Sequence, residues 1–221
     1  MKTEMLAFET ANGPTNAYVA LPDAPSGKAV IVIQEWWGLN DHIKDIADRY
    51  AGEGFIAIAP DLYRGKIAKD STEAAQMMHD LTSEDGLDTI KNVIDAAGLA
   101  LDISHFGITG YCMGGTFALL AACELEGLSA AAPFYGDVPG DDVLKKLTTP
   151  TIFISATKDA WINPQKVAAL EDAVERFELP VNSVKYEADH AFFNDTRPEV
   201  YNETAARDAW ALVTGFFNDR L

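Results

Sequence analysis

Hydrophobic residues follow two different patterns along the chain. From residue 29 onward, short unbroken runs of apolar and β-branched residues recur, which is typical of strands buried on both faces of a sheet. Between these runs, apolar residues recur every three or four positions, which predicts helices. The runs predict strands over residues 29–34, 55–59, 106–109, 130–134, 151–156 and 181–186. The helical spacing predicts helices over residues 40–51, 71–82, 84–99, 113–125, 164–177 and 203–217.

The N-terminal segment differs from the rest. Residues 5–10 and 17–21 flank the turn sequence Asn12-Gly13-Pro14, which predicts an antiparallel hairpin. After it, strands alternate with helices, the pattern of βαβ units whose sheet is covered by helices on both faces. No repeat or linker interrupts the 221 residues. We therefore expect one α/β domain over residues 1–221, with a mainly parallel central sheet and the hairpin at one edge.

The composition limits the classes of partner. Hydrophobic residues make up 48% and charged residues 23% of the chain, which predicts a soluble globular protein. No stretch approaches the ~18 consecutive apolar residues that a membrane-spanning helix needs. Acidic residues outnumber basic ones by 34 to 17, and the formal net charge is −17. Such a surface repels phosphate backbones and anionic lipids, so we expect neither nucleic acid nor a membrane as partner.

The cysteine content points to a reducing compartment. If one helix carries both Cys112 and Cys123, their Cα atoms lie ~16 Å apart. A disulfide needs Cα atoms within ~7 Å, so the two cysteines cannot pair within the chain. The N-terminus, Met1-Lys2-Thr3-Glu4-Met5, continues without the apolar segment of a signal peptide. Two free thiols and no export signal favour a cytoplasmic protein.

The segment Gly110-Tyr111-Cys112-Met113-Gly114-Gly115 lies between a predicted strand and a predicted helix. It has the form of a nucleophile elbow with cysteine in place of serine, where glycines allow a strained turn. The following N–H then points at the developing oxyanion, and the helix dipole favours the thiolate. The alternative is a structural cysteine beside a glycine-rich turn, since free cysteine is commonly buried.

A thiol nucleophile needs a base, and the base needs an acid to orient it. His190 and Asp159 each lie a few residues past a predicted strand, and the order Cys112, Asp159, His190 is that of α/β-hydrolases. Asp189 and Asp137 are alternatives to Asp159, which would then cap a helix or turn. Asp189 adjoins the histidine and is poorly placed to reach its ring.

Glu35 ends a strand that is predicted to be buried, which is unusual for an acid unless it is paired or functional. Its carboxylate could accept the Cys112 proton or hold the thiol until substrate arrives. The backbone N–H of Trp36 would then be the second oxyanion donor, after that of Met113. The alternative is a surface glutamate in a strand-end turn.

The sequence resembles the dienelactone hydrolase family, the carboxymethylenebutenolidases of the α/β-hydrolase fold, over nearly its whole length. The resemblance rests on Gln34-Glu35 with Gly38, on Ala59-Pro60-Asp61-Leu62-Tyr63, on the segment from Gly110 to Gly115, on Phe134-Tyr135-Gly136, on Asp159 and on Asp189-His190-Ala191-Phe192. It implies a triad of Cys112, His190 and Asp159, and an oxyanion hole from the N–H groups of Trp36 and Met113. It also implies that Glu35 pairs with the thiol at rest and helps to form the thiolate when substrate binds.

The chain departs from the family in the arginines that bind the carboxylate of dienelactone. The family has one four residues past the catalytic histidine, where this chain has Asn194, and another in the segment corresponding to residues 66–82, which holds none. Arg64 and Arg197 are the nearest candidates. The aromatic residues Trp37, Tyr135 and Phe192, with Trp36 and Phe193, suggest an apolar acyl pocket, although such residues also build cores.

The sequence therefore predicts a cysteine-dependent hydrolase of lactones or small esters that works through a thioester. No motif has metal-ligand spacing and no nucleotide-binding glycine pattern occurs, so we expect no metal and no cofactor. The expected partner is a small-molecule substrate, and the expected assembly is a monomer or a small homo-oligomer. The alternatives are a broad esterase with a different natural substrate and a non-catalytic binding protein on the same fold.

Overall fold

Eight strands and seven helices follow one another in the computed structural model, which describes all residues from Met1 to Leu221. The strands are β1 (Lys2–Phe8), β2 (Thr15–Leu21), β3 (Lys28–Ile33), β4 (Ile56–Pro60), β5 (His105–Tyr111), β6 (Leu128–Phe134), β7 (Thr151–Ala156) and β8 (Val181–Tyr186). The helices are α1 (Asp41–Gly52), α2 (Ser71–Asp80), α3 (Ser83–Leu101), α4 (Met113–Glu124), α5 (Asp141–Leu144), α6 (Pro164–Phe177) and α7 (Glu203–Arg220).

All eight strands belong to one sheet, in the order β1-β2-β4-β3-β5-β6-β7-β8. The six strands from β3 to β8 are parallel, while β1 pairs antiparallel with β2, and β2 antiparallel with β4. The chain moves from β3 outward to β4 and then returns to place β5 on the other side of β3. In open parallel sheets, ligands bind outside the carboxyl ends of the strands at such a reversal. This topology confirms the predicted α/β-hydrolase architecture with an N-terminal hairpin.

The core lies on both faces of the sheet because successive strand residues point to opposite sides. In β3, Val30 and Val32 face the side covered by α1 and α7, while Ile31 and Ile33 face the side covered by α3, α4 and α6. All four side chains are fully buried. Full burial of both faces explains why the strand reads as an unbroken apolar run rather than as an alternating one.

Five of the helices begin with a side-chain cap that accepts a hydrogen bond from the first turn. The caps are Asn40 for α1, Asp70 for α2, Thr82 for α3, Asn163 for α6 and Asn202 for α7. Helix α4 differs, because its N-cap residue is Cys112 and no side chain caps it. The N–H groups at the start of α4 are therefore not satisfied by a cap.

Two elements differ most from the sequence-based expectation. β1 covers Lys2–Phe8 rather than residues 5–10, because its register pairs Lys2 with Leu21 and Phe8 with Thr15. β1 is an edge strand with mostly exposed side chains, so hydrophobicity does not mark its start. The four-residue helix α5 has no counterpart in the expected elements, since among its residues only Leu144 is buried. No helix has both the length and the apolar character that would let it cross a membrane.

Candidate active site

Cys112 lies on a sharp turn between β5 and α4, with φ 58° and ψ −117°. A β-carbon on Gly110 would come within 2.1 Å of the Gly114 carbonyl oxygen, and one on Gly114 within 2.3 Å of the Ile33 carbonyl oxygen. These are backbone atoms that cannot move aside, so both positions require glycine. The absence of side chains there lets α4 fold back closely against β3 and β5, and the turn presents residue 112 at the carboxyl edge of the sheet.

The Cys112 thiol is buried, and its surroundings disfavour its ionisation. Burial raises the pKa of the thiol, the negative charges of Glu35 and Asp159 raise it further, and the value reaches about 12 although the Met113 N–H bond lowers it. The N–H group at the start of α4 favours the thiolate, as the sequence predicts, but this is not the largest effect. Desolvation and two nearby carboxylates outweigh the dipole. The resting sulfur is a protonated thiol at neutral pH.

Asp159 and His190 form a close pair. Asp159 follows β7 and is 3% exposed, and its Oδ2 lies 2.6 Å from Nδ1 of His190. Its Oδ1 accepts hydrogen bonds from the backbone N–H groups of Trp161 (2.8 Å) and Ile162 (2.9 Å). Burial raises the pKa of this carboxyl, but the bond and charge of His190 and the two N–H donors bring it below its ordinary value. The carboxylate is thus ionised and fixed in orientation.

The other ring nitrogen of His190 is available for chemistry. His190 Nε2 is buried and has no hydrogen-bond partner. Because Asp159 holds Nδ1, the Nδ1–H tautomer leaves Nε2 as a free acceptor. His190 and Cys112 line the same cavity, and no hydrogen bond joins the ring to the thiol in this resting geometry.

Neither of the two alternative acids is bonded to the histidine ring. Asp189 is exposed and makes no hydrogen bond to the histidine ring. Asp137 accepts a 2.6 Å hydrogen bond from Lys166 Nζ instead. Of the three aspartates considered from the sequence, only Asp159 is hydrogen-bonded to the His190 ring.

Glu35 follows β3 and is 2% exposed, which excludes the alternative of a surface glutamate. Its Oε2 accepts a 2.8 Å hydrogen bond from Nδ2 of Asn194, another buried side chain. Burial raises the pKa of Glu35 to about 7, although the Asn194 bond and the charges of His190 and Arg197 lower it. No hydrogen bond joins Glu35 to the thiol. The resting partner of Glu35 is therefore the Asn194 amide, rather than the cysteine expected from the family resemblance.

Trp36 and Met113, the expected oxyanion donors, follow neighbouring strands. β3 and β5 are parallel, and Ile33 pairs with Gly110. The chain therefore leaves both strands at the same edge of the sheet, with Trp36 directly after Glu35 and Met113 directly after Cys112. Met113 begins α4, and the Trp36 N–H donates to no backbone carbonyl.

A cavity of about 400 Å³ opens beside these groups. Its walls are formed by Glu35, Trp36, Trp37, Ser71, Cys112, Lys158, Ala160, Trp161, Asp189, His190, Ala191, Arg197 and Val200. Of the pocket residues expected from the sequence, Trp36, Trp37 and Arg197 are therefore at the cavity.

Four expected pocket residues are not. Phe193 is 3% exposed and lines a different cavity. Arg64 instead forms a two-pronged bond to Asp85, with N···O distances of 3.0 and 2.6 Å, and lines a different cavity. Tyr135 and Phe192 are fully buried, and their rings pack 5.5 Å apart beneath the site. These placements correct the expectation: the arginine is held by a carboxylate and the two aromatic rings belong to the core. Tyr135 still packs against His190, at 5.1 Å between ring centroids, and so supports the ring from below.

Sequence reasoning misses two residues of the site. It reads Asn194 only as the absence of an arginine, although this residue is the partner of Glu35. It leaves Trp161 out of the pocket, although the Trp161 ring lies 5.2 Å from that of His190 and 5.4 Å from that of Trp36. The position of Trp161 two residues past Asp159 is the available signal, since residues that follow a strand-end acid lie at the same edge of the sheet.

Comparison with known proteins assigns the chain to a family. A model of the dienelactone hydrolase family matches residues 15–221. Protein usf of Aquifex pyrophilus is 35% identical, over 99% of each chain. A protein of Aquifex aeolicus, provisionally named a carboxymethylenebutenolidase, is 33% identical, again over 99% of each chain.

Solved structures agree with the sequence comparisons. The crystal structure of a Klebsiella pneumoniae protein, provisionally named a dienelactone hydrolase, matches with a TM-score of 0.90 at 29% identity, over 98% of each chain. A dienelactone hydrolase-like promiscuous phosphotriesterase from metagenomic libraries matches with a TM-score of 0.86 at 19% identity, over 99% of this chain and 98% of the other, which shows a shared fold. The chain therefore belongs to the dienelactone hydrolase family, with the α/β-hydrolase fold.

Proposed function

We propose that the protein is a cysteine hydrolase of lactones or small esters in which Cys112 is the nucleophile. The observation that carries the proposal is the Asp159–His190 pair, whose unpartnered Nε2 lines the same cavity as the thiol on its strained turn. A base that is oriented by an acid and lies beside a nucleophile is the arrangement that acyl transfer requires.

In the proposed acylation, Cys112 Sγ attacks the substrate carbonyl and forms the carbon–sulfur bond. The thiol proton passes to Nε2 of His190, and the charge on the carbonyl oxygen is stabilised by the N–H groups of Trp36 and Met113. The tetrahedral intermediate collapses, the carbon–oxygen bond of the ester breaks, and His190 gives its proton to the leaving alkoxide. The product is a thioester on Cys112 and a free alcohol.

Deacylation repeats these steps with water. His190 takes a proton from water, the oxygen attacks the thioester carbonyl, and the thiolate leaves and recovers the proton from His190. Asp159 holds the imidazole in the required tautomer throughout. Burial is the larger cause of the raised thiol pKa, and the negative charge of Glu35, whose own pKa is about 7, makes ionisation of the thiol harder still.

The test is steady-state hydrolysis of p-nitrophenyl acetate and of cis-dienelactone by the wild type, Cys112→Ala and Cys123→Ala. Cys123 is the matched control, because it is the other buried thiol and its pKa is also raised to about 12. We expect Cys112→Ala to lose about a thousandfold or more in kcat/KM, and Cys123→Ala to remain within about threefold of the wild type. Mass spectrometry of the quenched wild type should show the acyl group on Cys112.

Two outcomes would contradict the proposal. Unchanged hydrolysis by a folded Cys112→Ala protein would exclude the cysteine nucleophile. No hydrolysis of any ester, together with a Cys112 that iodoacetamide does not label with or without ligand, would favour a binding protein on this fold. The raised thiol pKa is the observation that favours this second candidate.

Substitutions at two arginines can show whether the substrate is a carboxylated lactone or a neutral ester. Arg197 lines the cavity, with its Nε bonded to Glu199 at 2.9 Å, whereas Arg64 is held by Asp85. We expect Arg197→Gln to raise KM for cis-dienelactone more than for p-nitrophenyl acetate, and Arg64→Gln to leave the ratio unchanged. If Arg197→Gln affects both substrates equally, the cavity does not bind the lactone carboxylate through this residue and a neutral ester is the better candidate.

A further inference from the structure

The active-site cavity continues into a second one along helix α2. The second cavity has a volume of about 700 Å³. We call it the α2 groove, and it is formed by Trp36, Ser71, Thr72, Ala75, Gln76 and Trp161. Trp36, Ser71 and Trp161 line both cavities, so the two are adjacent parts of one cleft.

Two tryptophans form the apolar floor between the two parts. Trp36 packs edge-to-face against Trp37 at 5.2 Å and against Trp161 at 5.4 Å between ring centroids. Trp161 nevertheless remains 53% exposed. An exposed tryptophan whose orientation is fixed by neighbouring rings offers a large rigid contact surface at little cost in conformational entropy. The floor of the cleft is therefore preformed for an apolar group.

The α2 groove carries no charged side chain. This contrasts with a chain that has 34 acidic and 17 basic residues. The charged residues of the cleft, Lys158, Asp189 and Arg197 with the buried Glu35, all line the first cavity. The groove thus suits an uncharged, apolar chain, and the polarity of the cleft changes along its length.

The position of His190 identifies which part of the substrate enters the groove. The Trp161 ring lies 5.2 Å from the ring of His190. In the proposed mechanism, His190 gives its proton to the leaving alkoxide, so the alcohol departs on the side of this imidazole. We propose that the α2 groove binds the alkyl chain of the leaving alcohol, and that the preferred substrates are esters of medium-chain alcohols. This proposal rests on the proposed function and names its substrate class.

The test compares two series of esters that differ in which end is extended. Methyl, butyl and hexyl acetate extend the alcohol, while p-nitrophenyl acetate, butyrate and hexanoate extend the acyl chain. Each buried methylene is expected to raise kcat/KM by up to about fourfold in the first series, but not in the second. Ala75→Asp places a charge in the groove at an exposed helix position, where the fold tolerates it. Met78→Asp is the matched control, since Met78 is exposed on the same helix and lines neither cavity.

We expect Ala75→Asp to lower kcat/KM for hexyl acetate at least tenfold more than for methyl acetate, and Met78→Asp to leave the ratio of the two unchanged. A binding experiment needs no catalysis: N-hexylacetamide should change the tryptophan fluorescence at lower concentration than N-methylacetamide, and Ala75→Asp should remove this difference. Three of the four tryptophans lie at the cleft.

The outcomes separate the two proposals. If no ester is hydrolysed but N-hexylacetamide binds in an Ala75-dependent way, the hydrolase proposal fails and takes the leaving-alcohol assignment with it, and the groove is then a binding site for alkyl chains only. If esters are hydrolysed without dependence on alcohol length, or if Ala75→Asp and Met78→Asp behave alike, the groove proposal fails alone. A length dependence confined to the acyl series would also overturn it, because the occupant would then be the acyl chain.

Discussion

Asn194 donates a 2.8 Å hydrogen bond from Nδ2 to Oε2 of Glu35, and 159 positions separate the two residues along the chain. The Asn194 amide is itself fixed, because its Oδ1 accepts bonds from the backbone N–H and the hydroxyl of Thr196, at 3.0 and 2.6 Å. With its oxygen occupied by two donors, the amide must present its NH₂ group to the carboxylate. Glu35 therefore has a neutral donor as partner, and burial keeps its pKa near 7.

Replacing Asn194 should change the pH dependence of the reaction. Its hydrogen bond lowers the pKa of Glu35, so Asn194→Ala is expected to raise that pKa above 7. Because the Glu35 anion raises the thiol pKa, the base-side limb of the kcat/KM profile should move to higher pH. The measurement is a profile between pH 5 and 9. Thr196→Val is the control, because it removes one bond to Asn194 and keeps the Asn194–Glu35 contact. Identical limbs in wild type and Asn194→Ala would show that Glu35 does not govern this limb.

The ionised Glu35 side chain should also lower the free energy of unfolding at neutral and alkaline pH. Its pKa rises from 4.5 in the unfolded chain to about 7 in the folded one, so the folded state binds the proton more tightly. Relative to a neutral side chain, the cost is absent below pH 4.5, grows as the pH rises and is complete above pH 7, where it amounts to about 3 kcal/mol. Glu35→Gln should accordingly be more stable than the wild type at pH 8 and equally stable at pH 4.5. Urea unfolding at both pH values measures this, and an equal difference at both would contradict it.

The Asp159 carboxylate is expected to fix the tautomer of His190. In Asp159→Asn, an amide that keeps its oxygen toward the N–H groups of Trp161 and Ile162 turns its NH₂ group toward Nδ1. The imidazole then carries its proton on Nε2 and cannot accept one from the thiol. We expect kcat to fall about 10³- to 10⁴-fold while the free energy of unfolding changes little. The companion variant Asp189→Asn alters the exposed neighbouring aspartate and should stay close to wild-type activity.

Two glycine-to-alanine substitutions should have opposite effects. In Gly114→Ala the new methyl group would lie 2.3 Å from the Ile33 carbonyl oxygen and 2.6 Å from that of Gln34, so we expect a loss of roughly 3 kcal/mol and of activity. Gly215 lies in α7 and is exposed, and no atom lies within 4 Å of the position that a methyl group would take there. Gly215→Ala should stabilise the protein by about 0.5–1 kcal/mol, because alanine favours the helix. Thermal unfolding of both variants gives the comparison, and a stable, active Gly114→Ala would refute the packing argument.

The sequence predicts the central strands well because burial on both faces leaves runs such as residues 29–34 almost wholly apolar. The same physics explains the failure at β1, whose exposed side chains carry no such pattern. The strand-end positions of Cys112, Asp159 and His190 are predictable, since parallel strands end at one edge of the sheet.

Contacts between distant segments are not predictable from one sequence. The Asn194–Glu35 bond depends on how the loop after β8 meets the end of β3, and no local pattern encodes that approach. Arg64 is a candidate cation in the sequence, but the structure places it against Asp85 on α3. The thiol pKa likewise depends on burial and on Glu35 and Asp159 together, which only the assembled site brings close.

The glycine contacts at the turn before α4 have a consequence for how this site can change over generations. Main-chain atoms leave no room for a β-carbon at Gly110 or Gly114, so a substitution at either position would distort the turn. The side chain at position 112, by contrast, lines the cavity. One substitution at position 112 could therefore replace sulfur by oxygen in the proposed nucleophile without changing either glycine. The positions in this architecture that can change most easily are therefore the side chain of residue 112 and the loops that surround it.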